Sequence, residues 1–449
     1  MILGAGMAGF GAAHHLMNEG VRATIYEARQ RPGGVTLSHT YEDGFIFDEG
    51  GHVSFPPDER MKSIFATAVK NDFQSARVYC NNYWKGYWFK HPAQVNLHGL
   101  PTDVVVACIK DFIEANGNPN PEIENYEDWL LAAFGKTFST TFPMEYTKKY
   151  HTTEAKNLTT DWLGPRLYRP KIDEVLMGAL EKEPLDVHYV ENIRYPTHGG
   201  FQGYIDGFRS FADVVCDREV TQIDMKSRTL TFKKGVTASF DQLISSVPLN
   251  RLIPLIIGAP QDVRAAASML ACTQCAVVNI GINRPVEVRA LWTYFYDADI
   301  CFSRVSYREK HSPLVVPPGC GGFQAETYFS DKYRPLPGKV DDWIEPTIEG
   351  LLKSGLLRDR SEIIHKSVNW LPYANIIFDH DRPRSLQLVH GFLNDIGIAR
   401  CGRYGDWGYI WTHQAFMSGE RAAKGALRNG LGPAALKEEC YALLDETGR

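Results

Sequence analysis

No apolar run in the sequence is long enough to span a bilayer, so no transmembrane helix is predicted. The opening stretch, MILGAGMAGFGAAHHLMNEG, is apolar but broken by glycines. It lacks the basic leader and small-residue cleavage site of a signal peptide, and the expectation is a cytoplasmic chain. Charge of one sign is also scarce. Lys and Arg number 48 against 53 Asp and Glu, a formal net charge of −5. That balance argues against a general nucleic-acid binder and leaves any phosphate recognition to local groups. Cysteine is sparse at nine in 449 residues, an odd count. Only Cys272 and Cys275 stand at C-x-x-C spacing, and no second pair completes a zinc site. Reduced core thiols and no bound metal are therefore expected. Internal repeats and low-complexity tracts are absent.

A chain of this length predicts two or three domains. Hydrophobic residues make up 44% and charged residues 22%, an ordinary globular balance. The 12% of aromatics suits clefts that hold flat or sugar-like ligands. The first 34 residues read as strand, turn, helix, strand, turn. The first strand starts almost at Met1, which leaves open a few residues before it in the natural chain. Gly4, Gly6 and Gly9 form G-x-G-x-x-G between the first strand and the helix, and Glu27 closes the next strand 18 residues after Gly9. In that context the motif predicts a dinucleotide site. Gly4 permits the tight turn, Gly6 lets a pyrophosphate reach backbone N–H groups, and Gly9 lets helix and strand pack closely. The helix N-terminus favours negative charge, and Glu27 would accept from ribose hydroxyls.

A second turn, Gly33–Gly34, follows Arg29 and Arg31, which suit a long dinucleotide or, alternatively, a solvated turn. A third, Gly50–Gly51, precedes His52 in DEGGHVSFPPDER. Three glycine turns within about 50 residues favour an extended flavin dinucleotide, FAD, over NAD. Residues 100–190 carry helical apolar spacing. REVTQIDMKSRTLTFKKG alternates like a hairpin, DQLISSVPL reads as a buried strand, and 272–335 reads as largely β. PNPEIENYEDW and PLVVPPGCGG are expected as surface loops. CGRYGDWGYIWTHQAFMSGERAA closes the chain with a turn and a helix whose N-terminus would face the flavin pyrimidine.

With these pieces placed, the chain resembles UDP-galactopyranose mutases within the superfamily of FAD-dependent amine oxidases and protoporphyrinogen oxidases. The matching motifs run in order along nearly the whole chain: GGHVSF, HPAQVNLHGLP, DWLGPR, YPTHGGFQGYIDGF, CFSRVSYREKHSP and GRYGDWGY. The resemblance implies an α/β fold. A Rossmann-type FAD-binding domain (1–99, 191–250 and 396–449) would carry an inserted helical domain or lid (100–190) and a mixed β-sheet substrate domain (251–395). It also implies a chemistry without net redox change. FAD reduced by NADPH attacks the anomeric carbon of a nucleotide sugar through flavin N5, and the ring opens and recloses between pyranose and furanose. The expected partners are a nucleotide sugar or other small-molecule substrate, no nucleic acid and no membrane span; a homo-oligomer is left open.

Carried over residue by residue, the resemblance makes Arg166 and Arg304 the cations of the leaving diphosphate, a task suited to a bidentate, permanently charged group. A surface ion pair is the alternative for each. Tyr373 and Tyr409 would share that work, and Gln94, Asn96 and Trp162 would line the sugar pocket, with core packing the alternative for Trp162. His52 would lie beside flavin N5, either active there or as a hydrogen-bonded structural histidine, with Gly51 at the flavin. Val220 would meet the adenine. Ser246, Gly402, Arg403 and Met417 complete the expected cofactor contacts. Gly408 replaces a basic residue common in mutases, and His413 and Gln414 stand near a common acidic position, which bears on the sugar and nucleobase. The competing expectations are an FAD-dependent amine oxidase or desaturase acting by hydride transfer, often with a lysine that orients water, and a non-enzymatic flavoprotein; Lys85 and Lys90 stand where the mutase family has basic residues of its own. Fold alone does not separate these.

Overall fold

The computed structural model describes residues 1–118, 120–164, 167–182, 187 and 190–429. Its first body is a five-stranded parallel sheet in the order Ile398–Arg400, Leu243–Ser245, Ile2–Leu3, Ala23–Tyr26, Ala212–Val215. Successive side chains of a strand point to opposite faces, and these short strands obey that rule. Ile2, Ile25 and Ile244 join Phe10, Phe208 and Phe416 in one core. Leu3, Leu243 and Ile398 join Ile223, Leu230 and Phe232 in another. Each such fully buried side chain contributes about 1.5–3 kcal/mol. The helices Met7–Asn18 and Thr412–Asn429 cover the first face, and the antiparallel strands Val220–Asp224, Thr229–Phe232 and Thr237–Ser239 form the layer on the second. The two helices meet backbone to backbone. A side chain at Gly11 would collide with the Phe416 carbonyl, and one at Gly419 with that of Ala8.

The second body is a seven-stranded mixed sheet: Ile363–Leu371, Gln274–Ile282, Gly321–Phe329, Arg304–Tyr307, Trp292–Phe295, Cys80–Trp84 and Tyr87–Lys90. Its last two strands come from the 1–99 segment that was expected to belong wholly to the FAD-binding part. They depart from that division because Cys80–Trp84 pairs in parallel with Trp292–Phe295. Helices Thr102–Asn116, Tyr126–Phe134, Lys136–Thr141, Pro143–Tyr150 and Ile172–Leu180 form the helical part, as the apolar spacing predicted. They share a core with Phe89, Tyr296 and Ile377 of the neighbouring segments. One expected surface loop is partly internal. Val315 and Val316 of PLVVPPGCGG pack into the core beside Phe45 and Phe47, since two adjacent valines gain more from burial than the loop loses.

Candidate active site

The parallel strands end together, and the first two glycine turns lie at that edge. Gly4 passes so close to Ser246 that any side chain would strike its hydroxyl, and its φ of +96° favours glycine in any case. A side chain at Gly402 would press on Ala8 and approach Ser246. The helix Met7–Asn18 begins at Gly6 with no capping side chain and no acidic residue in its first turn, so its N–H groups face outward unneutralised. Glu27 is buried at the end of its strand; Ala5 N–H donates to Oε2 and Arg29 N–H to Oε1, both at 2.8–2.9 Å. The second turn lies against the first, with Gly33 N–H donating to Ala5 O at 2.8 Å. An uncapped helix N-terminus beside a strand-end carboxylate is the donor and acceptor set that a dinucleotide requires, and it fits one.

Arg29 connects these turns to the third. Its Nη1 donates to both oxygens of Glu49 at 3.0 and 2.8 Å, and Glu49 immediately precedes Gly50–Gly51–His52. That third turn rests on the polar face of the mixed sheet. Val305, Tyr307, Phe323 and Ala325 point to an apolar core, while the alternate residues Arg304, Ser306, Gln324 and Glu326 point to the turn. Register pairs Arg304 with Glu326 and Ser306 with Gln324. Arg304 donates from Nε and Nη2 to Glu326 at 2.9 and 2.7 Å, Tyr328 OH donates to the same carboxylate at 2.7 Å, and Gly51 N–H at 2.9 Å. Burial opposes ionisation of Glu326, but the Arg304 charge and these hydrogen bonds outweigh it and hold the carboxyl below its usual range. A side chain at Gly51 would be tight: a Cβ would stand 3.1 Å from Arg304 Nη2 and from Ser306 Oγ, which would have to give by a few tenths of an ångström.

His52 is half-buried, with Nδ1 3.2 Å from Gly50 O. A carbonyl only accepts, so Nδ1 carries the proton and Nε2 is an acceptor. Burial lowers the imidazole pKa; Arg403 reinforces that, and Asp48 and Glu326 oppose it. The ring is neutral at physiological pH.

Aromatic side chains pack next to Glu326. Tyr150 lies 5.0 Å from the Tyr328 ring, stacks with Tyr146 at 5.3 Å, and shares a hydrogen bond with the Tyr409 hydroxyl. Trp162 is 6.4 Å from the Tyr409 ring. Arg304, Tyr409 and Trp162 are thus linked through Glu326, Tyr328 and Tyr150. Other expected residues lie elsewhere. Gln94 donates to Tyr168 O and lines a small gap among Cys108, Phe112 and Phe138 inside the helical part. Asn96 donates to Pro92 O within its own turn. Tyr373 donates to Asn250, and its ring is 5.5 Å from Tyr404. Arg403 donates to the carbonyls of Ile410 and Ala374 and to Asn375, which ties the closing turn together. Val220 opens its strand against the second core, and Met417 is half-buried against the first. Arg166 falls outside the described residues.

Sequence reasoning missed Glu326, Gln324, Tyr328 and Tyr150. The signal was in GGFQAETYF, a strand buried on both faces that carries Gln and Glu two residues apart. Such residues need partners, and partners at that spacing share one face. Among the described residues, no group of three or more metal-ligating side chains comes together, and no helix is long and apolar enough to cross a membrane.

The fold and this edge-and-turn geometry define a flavoprotein of the dinucleotide-binding α/β class. The chain belongs to the family of flavin containing amine oxidoreductases, which it matches over residues 7–427. Membership implies a flavin cofactor. A crystal structure of reduced UDP-galactopyranose mutase is similar over 99% of this chain and 98% of its own, with a TM-score of 0.91 and 25% identity. Cyclohexylamine oxidase from Brevibacterium oxydans IH-35A is similar over 96% and 98% of the two chains, TM-score 0.66, at 11% identity, a likeness of fold alone. Among curated sequences, 4,4'-diapophytoene desaturase of Staphylococcus aureus is 29% identical over 103 residues, 23% of this chain. That match spans only 20% of the desaturase.

Proposed function

We propose that the protein is an FAD-dependent nucleotide-sugar mutase that interconverts pyranose and furanose forms of a UDP-galactose-like substrate. The observation that carries this reading is the likeness to UDP-galactopyranose mutase along the whole chain, with Arg304 at the flavin-side turn. In this reading Gly4, Gly6, Gly9, Glu27, Arg29, Gly33, Gly34, Gly51, Ser246 and Gly402 hold FAD along the sheet edge and the third turn. FAD, when bound and reduced with NADPH as the reductant, would supply the nucleophilic nitrogen for exchange at the anomeric carbon without being consumed. Arg304 binds the leaving diphosphate through Nη1 and the remaining Nη2 proton, because Nε and one Nη2 proton are committed to Glu326. Glu326 keeps the guanidinium flat against the turn. One hydroxyl of the Tyr150–Tyr409 pair donates to the other, which leaves one proton of the pair to donate to a diphosphate oxygen, and Trp162 closes the sugar side. His52 offers Nε2 as an acceptor to a sugar hydroxyl. The helical part covers the site and limits water.

A second reading, hydride transfer from substrate to flavin, draws on the desaturase match and on the Glu326 carboxylate that cancels the charge of Arg304. One experiment separates the two. The purified flavoprotein is reduced anaerobically and given UDP-galactopyranose or UDP-galactofuranose, and the products are chromatographed. Interconversion with the flavin still reduced is expected. No reaction with any nucleotide sugar, together with substrate-dependent bleaching of oxidised flavin, would sink the mutase reading.

A further inference from the structure

We propose that Arg308, acting through Asp48, is a positioning residue for the Gly50–Gly51–His52 turn, so that the strand Arg304–Tyr307 and the residue that follows it grip that turn at both ends. The proposal rests on the reading that the flavin lies against this turn. Asp48 ends the strand Ile46–Asp48 and leads directly into the turn. Its side chain is saturated. Oδ1 accepts from Ser38 Oγ at 2.6 Å and Phe201 N–H at 3.0 Å, and Oδ2 accepts from Tyr195 OH and Arg308 Nη2, both at 2.7 Å. Its carbonyl accepts from Gln324 Nε2 at 2.7 Å. Arg304, Ser306 and Arg308 stand at alternate positions and face the same way, as do Gln324 and Glu326 on the next strand. Arg304 and Glu326 therefore fix the Gly51 end, while Arg308 and Gln324 fix the Asp48 end. The φ of Gly50 is +85°, a left-handed conformation open to glycine, so the permissive turn between the two grips takes its direction from them.

The pair is a poor device for stability alone. Arg308 and Asp48 are fully buried, and Arg308 Nε and Nη1 have no partner among the described residues. Replacing a buried ion pair by apolar groups is often neutral or stabilising, whereas removing one partner is costly. What the pair supplies that an apolar pair cannot is direction. Four hydrogen bonds converge on one carboxylate and set the angle at which the chain enters the turn. Asp48 also places a fixed negative charge near His52, where it opposes the effect of Arg403 on the imidazole.

The test uses four variants of the full-length flavoprotein: Arg308→Met, the double variant Asp48→Asn with Arg308→Met, His52→Ala, and Arg284→Met. The last breaks a half-buried ion pair with Glu362 just beyond two strand ends of the same sheet, away from the turn. FAD affinity, the visible absorption of bound FAD, thermal unfolding of the flavin-free protein, and kcat and KM are measured. Arg308→Met leaves a buried carboxylate unpaired and is expected to lose stability or fail to fold. The double variant removes both charges and carries the test. Its flavin-free protein should unfold close to the wild-type midpoint yet bind FAD about tenfold more weakly, the size of loss seen when one outer hydrogen-bonded partner of a site is removed. The flavin bands should shift, and kcat should fall about 100-fold at nearly constant KM. Wild-type FAD affinity and spectrum in the double variant overturn the proposal. So does an equal loss of affinity in Arg284→Met, because the effect is then general destabilisation. If His52→Ala leaves the affinity and spectrum of bound FAD unchanged, the placement of the flavin at this turn fails. If His52→Ala alters them and the double variant does not, the grip alone fails.

Discussion

Glu326 is buried, ionised and paired, and that combination makes the site sensitive to loss of one partner. Its folded pKa lies below the unfolded value of about 4.5. The pairing therefore contributes stability above pH 4.5 that is lost as the pH falls through the folded pKa. Arg304→Ala removes the main charge holding the carboxyl down and leaves burial to dominate, so the folded pKa moves above the unfolded one. The variant should be about 3–5 kcal/mol less stable than wild type at pH 8, and the deficit should shrink as the pH is lowered toward 5. Urea unfolding at several pH values measures it, and a deficit independent of pH contradicts it. The same variant should keep bound FAD and lose turnover, which tests the diphosphate role separately. The sequence offers two roles for Arg304, diphosphate cation or surface ion pair. In the structure it is half-buried and ion-paired with the buried Glu326 under the third glycine turn.

Helix packing sets the position of the N–H groups at the sheet edge. Gly419 lies against the Ala8 carbonyl in the first turn of Met7–Asn18, so Gly419→Ala must push the closing helix away from the nucleotide edge. A cost of about 1–3 kcal/mol is expected, with weakened FAD retention, read by thermal unfolding and by flavin content after gel filtration. A second element carries its own pH signature. Lys149 on Pro143–Tyr150 donates from Nζ to the carbonyls of Phe295 and Asp297 at 3.0 Å, which ties the helical part to the mixed sheet. Asp297, Asp299, Cys301 and Arg334 face it. Burial lowers its pKa from 10.5 to about 7, against the opposing pull of Cys301 and Asp297. Between pH 7 and 10.5 the unfolded chain binds a proton that the folded protein does not, so this group makes stability rise with pH across that window. Lys149→Met should flatten that rise. Identical pH profiles for variant and wild type rule the assignment out.

At the scale of the whole molecule, the flavin is expected to contribute to folding by mass action. Free FAD at about 100 times its dissociation constant should raise unfolding stability by about 2.7 kcal/mol over the flavin-free protein. Denaturant titration with and without FAD measures this, and no change means that the site does not take FAD. The parallel sheet, its glycine turns and the helical segment were legible in the sequence because each is a local pattern: glycines at fixed spacing, period-two strands, apolar residues three and four apart. The residues around Arg304 were less so. Gln94, Asn96 and Tyr373 came from motif matches, and nothing local to those motifs shows that their side chains turn into the helical core, their own turn or Asn250. Glu326 and Arg308 are 275 and 257 residues or so from the turn they hold, and no periodicity reaches that far. By itself, then, the sequence determined a dinucleotide edge and a family, since a glycine turn between strand and helix is specified by its own backbone requirements. Only the tertiary structure decided which carboxylate meets Arg304 and what grips the DEGGH turn. Those pairings follow from sheet register, which is settled when distant strands bury their apolar faces together.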